Sequence, residues 1–174
     1  ARFAPDGKSV YFLSGRSGSS QIWRLSLSGG EAEQISDIAL DVGSFVISPN
    51  GKTVAFSSEV FVDCAADFAC TKTRLDQTAA KKTTGTVHDQ LFIRHWDTWA
   101  NGTRAQLFAA NIALGAFSEA KLVSRGAGGI PLDADVPSKP NGDDSEYVFS
   151  PDSSSLYFGA RIAGKTEPWS TNFD

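Results

Sequence analysis

The fold of this chain is decided by a stretch near its start, Phe3-Ala-Pro-Asp-Gly-Lys-Ser-Val-Tyr-Phe12. The same pattern recurs as Ile47-Ser-Pro-Asn-Gly-Lys-Thr-Val-Ala-Phe56 and as Phe149-Ser-Pro-Asp-Ser-Ser-Ser-Leu-Tyr-Phe158. In each copy the proline fixes φ for a turn, and in the first two copies the Asp/Asn-Gly pair provides a position that tolerates positive φ. The residues after the turn form a short strand that ends in an aromatic. Three copies indicate a repeat protein.

Each repeat is predicted to be a small antiparallel meander of short strands. The first repeat contains three strand-like runs separated by Gly/Ser turns, namely Ser9–Leu13, Gln21–Leu27 and Glu33–Ser36. In the middle run, alternation places Trp23, Leu25 and Leu27 on one side of the strand, because successive side chains point to opposite faces. We expect that side to be the apolar face of the strand.

The second repeat carries an insertion. In the first repeat Trp23 follows Phe3 by 20 positions, and the third repeat has the same spacing. The matching residues of the second repeat, Ile47 and Phe108, are 61 positions apart, which is 41 more. The insertion covers roughly 59–103 and separates two strands of one repeat. Connections of that length are uncommon in compact folds and are usually functional or disordered.

These features predict an all-β fold. Antiparallel four-stranded units that recur at ~40–50 residues are typical of a β-propeller, and Phe3 and Ile47 are 44 residues apart. We therefore predict a partial β-propeller of about two and a half to three blades, with units at about 1–40, 41–125 and 140–174. A solenoid is the competing architecture, but its units are shorter or helical. The chain lacks Met and begins and ends inside a repeat, so we expect it to be a piece of a longer chain.

Composition excludes some classes of partner. The net charge is −4 and no block of basic residues is present, which disfavours nucleic acid as a partner. No apolar run approaches the ~20 residues that a membrane helix needs. The sequence predicts no cofactor and no metal site.

The two cysteines, Cys64 and Cys70, are close enough in sequence to staple a loop by a disulfide. Such a bond would place the protein in an oxidising compartment, either a periplasm or the outside of a cell. A metal or redox pair is an alternative, although no further Cys and no cluster of His lies nearby. Two free cytosolic thiols are the third interpretation.

The insertion ends in the most unusual cluster of the chain. Arg94, Trp96, Asp97 and Trp99 combine flat apolar area with charge, which suits contacts to a ligand. The alternative is that the tryptophans pack the insertion onto its blade. If the stretch is extended, His95 and Asp97 lie on the same side, as two members of a hydrolytic triad would. No activated serine completes a triad, so a hydrogen-bond network is the competing interpretation.

Glu59 lies where the second repeat leaves its blade. From that position a carboxylate would reach a central channel and bind a cation or a free amine. A solvated loop carboxylate is the alternative interpretation.

The longer segments resemble a known family. The repeated turn resembles the TolB-type propeller repeat, which occurs in many propellers. Three other segments are more specific: Leu91-Phe-Ile-Arg-His-Trp-Asp-Thr-Trp99, Gln106-Leu-Phe108 and Glu167-Pro-Trp-Ser-Thr-Asn-Phe-Asp174. Together they resemble the N-terminal propeller of bacterial dipeptidyl-peptidase and acylaminoacyl-peptidase members of the prolyl oligopeptidase family.

This resemblance implies a non-catalytic role for the chain. In that family a propeller screens short peptides by size and contacts their N-terminus, and a C-terminal α/β-hydrolase domain carries Ser, Asp and His. The expected partners are therefore short peptides and a hydrolase domain of the same chain, while no triad residue lies in these repeats. The cysteine pair fits a periplasmic member. The substrate-facing candidates are Glu59, Arg94, His95, Trp96 and Asp97.

A stand-alone periplasmic propeller that binds a protein or a peptide is the alternative function. It differs from the peptidase portion in what the gene encodes after the repeats. An enzyme confined to these 174 residues is the third interpretation, and it lacks a nucleophile motif.

Overall fold

The protein is built mainly from short antiparallel strands. The computed structural model describes residues 1–88, 91, 93–95, 97–112 and 117–171. No helix among these residues is both long and apolar enough to cross a membrane. The one α-helix within the described ranges belongs to the insertion of the second repeat.

The first repeat forms a four-stranded sheet. Its strands are β1 (Arg2–Phe3), β2 (Ser9–Ser14), β3 (Gln21–Ser26) and β4 (Glu33–Gln34). They pair antiparallel in chain order, so the sheet is the predicted meander. Within it Phe12 pairs with Trp23 and Leu13 with Ile22.

The second repeat forms another four-stranded antiparallel sheet. Its strands are β5 (Phe45–Ile47), β6 (Thr53–Val60), β9 (Arg104–Asn111) and β10 (Lys121–Leu122). Between β6 and β9 the chain forms a separate hairpin of β7 (Arg94–His95) and β8 (Thr98–Trp99). Strands β6 and β9 are neighbours along their whole length, from Thr53 opposite Asn111 to Val60 opposite Arg104. The chain between them therefore leaves from the end of one central strand and returns beside it, at the same end of the sheet.

The helix α1 (Phe68–Ala79) lies in that excursion. The Asp67 carboxylate accepts a hydrogen bond from the Cys70 N–H and caps the first turn. The helix is anchored by Phe68, whose ring meets Phe108 edge-on at 4.8 Å between centroids. From the sequence, the polar, Lys/Thr-rich residues 72–86 predict no more than a helical turn at 75–80, because few apolar residues mark the helix that forms there.

The third repeat differs from its predicted meander. Strands β11 (Tyr147–Phe149) and β12 (Leu156–Phe158) pair antiparallel. Where the spacing predicted a third strand around Trp169, the structure has a 3₁₀ helix over Gly164–Trp169. Pro168 lies in this segment and lacks the N–H that a central strand donates to its neighbour. Further 3₁₀ turns occupy Val62–Cys64, Ala127–Gly129 and Asp144–Glu146.

The three repeated turns have the same backbone conformation and contact one another. The fifth residue of each copy has positive φ, with values of 67° at Gly7, 70° at Gly51 and 64° at Ser153. Pro5 of the first turn lies against Gly51 of the second. The Asn50 N–H of the second turn donates to the Ser153 hydroxyl of the third at 3.1 Å. The repeats are therefore stacked side by side with their turns aligned.

The core follows this stacking, because the middle sheet is covered on both faces. One apolar cluster fills the space between the first two sheets and includes Ile22, Phe56 and Phe108. A second cluster lies between the middle sheet and the third repeat and includes Leu107 and Tyr147. The remaining face of each outer sheet is open and exposes apolar side chains, namely Phe3, Leu25, Leu27, Val148 and Tyr157.

The apolar face predicted for β3 is the open one. Leu25 and Leu27 are exposed, whereas Ile22 on the opposite side is 1% exposed. Alternation identifies which side chains share a face, but the neighbouring sheet decides which face is covered.

Candidate functional site

A cavity of about 400 Å³ lies beside the middle sheet, near the end of β6. Its walls come from the segment before β5, from β6, from α1 and from the loop at 137–143. Three carboxylates and one ammonium group line it: Asp41, Glu59, Asp143 and Lys139. The cavity therefore has an excess of negative charge, which suits a cationic ligand.

Glu59 is one of three exposed carboxylates that line the cavity. Its Oε2 atom accepts hydrogen bonds from the Thr103 hydroxyl and from the Lys139 ammonium, both at 2.7 Å. The side chain is half exposed. Its Oε1 atom has no hydrogen-bond partner in the described parts of the chain. The structure thus places this predicted residue in a cavity, with one oxygen available to a ligand.

The other two acidic groups of the cavity are held by backbone donors. Asp41 accepts from the Ser20 N–H at 2.6 Å, and Asp143 accepts from the Ser145 N–H at 2.7 Å. Hydrogen bonds from Ser145 lower the pKa of Asp143 from its usual value. These carboxylates shape local backbone as well as adding charge.

A buried ionic network borders the cavity. Asp135, whose side chain is 6% exposed, accepts from Arg104 at 2.9 Å and contacts the Lys139 ammonium at 3.3 Å. Arg104 also forms a two-pronged ion pair with Glu167, which Arg161 contacts at 3.4 Å. Burial acts to lower the pKa of Arg104, but the hydrogen bonds and charges of Glu167 and Asp135 outweigh it, so that the pKa is raised. The network ties the middle sheet to the third repeat.

Asp41 and Asp135 are not among the substrate-facing candidates that the sequence suggested. The two residues occupy equivalent positions in successive repeats, since Asp135 accepts a hydrogen bond from the Ala105 N–H just as Asp41 accepts one from the Ser20 N–H. Each donor precedes a buried glutamine, Gln21 or Gln106. A signal was present, because an Asp-Val pair follows the strands of both the first and the second repeat.

Two serine hydroxyls that line the cavity belong to a chain of hydrogen-bonded hydroxyl groups. The Ser44 hydroxyl lies 2.8 Å from the hydroxyls of both Ser57 and Tyr147. Burial raises the pKa of Tyr147, so its phenol stays neutral and remains a donor. Ser44 and Ser57 line the cavity, so their hydroxyls can exchange hydrogen bonds with a polar ligand, and Tyr147 supports Ser44 from behind.

The cluster at the end of the insertion lies in a hairpin. Arg94 and His95 belong to β7, and Asp97 lies in the turn before β8. The stretch is therefore not extended, because the chain reverses between His95 and Thr98. The condition under which His95 and Asp97 would lie on one side of a single strand is not met. Trp96 and the side chain of His95 lie outside the described residues.

The described members of the hairpin form an aromatic group of their own. The Arg94 guanidinium lies 5.6 Å from the centre of the Trp99 ring, which stacks with His88. Trp99 is 61% exposed, so it does not pack onto the sheet as a core residue would. Among described contacts, none joins Arg94 or Asp97 to Glu59, although Thr103, four residues after Trp99, does contact Glu59.

Cys64 and Cys70 are joined in a disulfide. The bond connects the 3₁₀ turn after β6 to the first turn of α1. Arg74 of the same helix pairs with Asp63 and lies over the Phe61 ring at 4.0 Å. Leu75 of the same helix lines the cavity. The disulfide therefore lies in the element that closes one side of the cavity.

The chain is similar to peptidases of known name. It is 25% identical over 174 residues to dipeptidyl-peptidase 5 of Porphyromonas endodontalis, which covers 99% of this chain and 23% of that protein. It is 29% identical over 170 residues to dipeptidyl-peptidase 5 of Porphyromonas gingivalis (97% and 23%). It is 26% identical over 186 residues to dipeptidyl-peptidase 4 of Giardia intestinalis (98% and 24%). The chain thus spans about a quarter of the length of these relatives.

Family models and solved structures were also compared with the chain. No family model matches the chain. An acylaminoacyl peptidase from Pyrococcus horikoshii superposes with a TM-score of 0.48 at 12% identity, covering 78% of this chain and 18% of that one. A structure described as a putative TolB from Agrobacterium tumefaciens gives 0.40 at 20% identity, covering 69% and 30%. The sequence matches confirm the predicted resemblance: over nearly its whole length, this chain is similar to a portion of dipeptidyl-peptidases.

Proposed function

We propose that this chain is part of the propeller of a serine exopeptidase, and that it admits short peptides and holds their free N-terminus. The observation that carries the proposal is the similarity to dipeptidyl-peptidases along nearly the whole chain, combined with its small share of their length. The catalytic Ser, Asp and His then belong to an α/β-hydrolase domain encoded elsewhere in the same gene.

The stacked sheets support the propeller. Residues 1–40 and 41–125 each supply an antiparallel four-stranded blade, with 59–103 inserted in the second, and 140–174 begin a third. Each blade covers one face of the next, and further blades of the same protein cover the open apolar faces of the outer sheets. The disulfide agrees with a periplasmic or secreted protein.

The cavity supports recognition of an amine. A free peptide N-terminus is a cation near neutral pH, and Glu59 offers it a carboxylate oxygen in a cavity with an excess of acidic groups. This preference favours a dipeptidyl-peptidase over an acylaminoacyl-peptidase, because an acylated N-terminus carries no charge. In the assembled protein the hairpin residues Arg94, His95, Trp96 and Asp97 contact the substrate from the other side. Holding the free end positions the scissile bond for the hydrolase domain.

The test is a peptidase assay on the full gene product with dipeptidyl p-nitroanilides. We expect hydrolysis, and we expect Glu59→Gln to raise KM about tenfold for substrates with a free N-terminus, because a charged hydrogen bond is lost. N-acylated substrates should be unaffected. The matched control is Glu33→Gln, which removes an exposed carboxylate of the first sheet that pairs with Arg24. A product without peptidase activity overturns the proposal, and equal effects of the two variants overturn the role of Glu59.

A stand-alone binding module is the second candidate function. The exposed Trp99, with Arg94 and His88 against its ring, is the observation that favours it, since aromatic residues with arginine are enriched at protein interfaces. Under this alternative the gene product lacks hydrolytic activity. Trp99→Ala then weakens binding of a peptide or protein, while Glu59→Gln leaves it unchanged.

A further inference from the structure

Lys139 occupies the place that a ligand cation would take. Its ammonium lies 2.7 Å from Glu59 Oε2 and 3.3 Å from Asp135 Oδ1, at the mouth of the cavity. A primary ammonium group on a flexible stem has the same charge and the same hydrogen-bond donors as a peptide N-terminus. The site therefore already contains a tethered cation.

The two carboxylates depend on Lys139 to different extents. Asp135 is buried and keeps two other donors, the Arg104 guanidinium at 2.9 Å and the Ala105 N–H at 2.8 Å. Glu59 is half exposed and keeps only the Thr103 hydroxyl among the described contacts. If the lysine leaves, Asp135 stays paired, and the charge of Glu59 becomes available.

The backbone that carries Lys139 is fixed independently of its side chain. The Glu146 carboxylate accepts from both the N–H and the hydroxyl of Ser138, each at 2.7 Å. The Gly142 N–H donates to the Ser138 carbonyl, which closes the loop on itself. Lys139 can therefore swing away by side-chain rotation alone. Its ion pair with Glu59 is partly exposed on both sides, and pairs of that kind are weak.

We propose that Lys139 is a specificity-determining residue that competes with ligand cations for Glu59. This inference rests on the proposed amine site. An entering ammonium group shares the Glu59 carboxylate with the lysine or displaces it from Oε2, so the lysine weakens the binding of every cationic ligand at this carboxylate. The ligand class is a primary ammonium group, carried either by a peptide N-terminus or by a lysine side chain.

The experiment is a calorimetric titration of the full gene product with three probes. Glycinamide carries only an α-ammonium group, Nα-acetyl-lysine amide carries only an ε-ammonium group, and N-acetylglycinamide carries neither. For Lys139→Met we expect about two- to fivefold tighter binding of the ammonium probes, the fold-change that corresponds to a weak exposed ion pair. N-acetylglycinamide should not respond. Lys139→Arg keeps the competing charge and should bind like the unaltered protein.

Two further observations distinguish a peptide N-terminus from a lysine side chain as the source of the ammonium group. Above pH ~8, binding of glycinamide should fall as its amine loses the proton, whereas binding of the lysine probe should persist. If only the lysine probe gains affinity in Lys139→Met, the source is a side chain. Unchanged or weaker binding of both probes by a Lys139→Met protein with unchanged Tm overturns the inference. Because binding is measured without turnover, a product that lacks peptidase activity yet shows the gain would contradict the proposed function alone.

Discussion

The middle sheet and the first sheet have the same strand order but differ in what covers them. Phe56 and Phe108 of the middle sheet are fully buried, and its opposite face is closed by Leu107 against the third repeat. In the first sheet Ile22 is buried, whereas Leu27 on the other face is 53% exposed. Strands at equivalent positions are thus buried to different extents, because different segments pack against them. Stability in such an array comes from the contacts between units as well as from each unit.

The largest expected effect is a cavity in the middle sheet. Phe108→Ala should lower the free energy of unfolding by about 3–5 kcal/mol, because its ring is buried against Phe56 and Phe68. The measurement is urea denaturation of the 174-residue chain followed by tryptophan fluorescence.

Leu27→Ala on the open face is the matched control for this substitution. It should change the free energy of unfolding by less than about 0.5 kcal/mol in this chain. If further blades cover the face in a longer gene product, the cost there should rise to about 2 kcal/mol. Equal costs for Leu27→Ala and Phe108→Ala in the 174-residue chain would contradict the comparison.

The second effect concerns ion pairs. Arg104→Ala should cost about 2–3 kcal/mol of unfolding free energy, because Asp135 and Glu167, which are largely buried, lose their ion pairs at 2.9 Å. Their remaining ion pairs within the described residues are longer, with Lys139 at 3.3 Å and with Arg161 at 3.4 Å. Arg24→Ala in the first sheet breaks a more exposed pair with Glu33 and should cost less than about 1 kcal/mol. Adding Glu167→Gln to Arg104→Ala should recover part of the loss. A double variant no more stable than the single one would show that charge burial is not the cause.

A smaller effect is expected at the repeated turn. Gly51→Ala should destabilise the protein by about 1–2 kcal/mol, because φ is 70° there and a Cβ disfavours that conformation. Gly15→Ala in the loop after β2 is the control, since its surroundings are open and its φ is not positive. It should be neutral in thermal melting. A neutral Gly51→Ala would mean that the aligned turns do not constrain this residue.

The smallest effect is a difference in acid sensitivity between two equivalent turns. Asp152 accepts hydrogen bonds from Ser150 and from the backbone and side chain of Ser154, which lower its pKa to about 2, whereas Asn50 at the same place in the second turn does not titrate. A lowered pKa in the folded protein adds stability above pH ~4, and that stability is lost as the pH falls from ~4 to ~2. Unfolding free energies measured over this range should therefore fall less steeply for Asp152→Asn. Parallel curves would contradict the assignment.

Part of the candidate site was accessible from the sequence. Glu59 was identified by its position at the exit of the second repeat, and it lines the cavity. Its partner Lys139 lies 80 residues further on, in a loop with no repeat pattern, so nothing local indicated the pair. The same holds for Arg104 and Glu167, which are 63 residues apart. Glu167 occupies the position that is a buried glutamine, Gln106, in the second repeat.

The sequence by itself determined the repeats, their turns and the strands that follow them, because proline, glycine and side-chain alternation act over a few residues. It also determined which side chains share a strand face. Only the tertiary structure decided that Ile22 is covered and Leu27 is not, that α1 extends back to Phe68, and that the insertion ends in a hairpin. The physical reason is that burial and ion pairing depend on which distant segments pack together, and a local sequence pattern does not specify those segments.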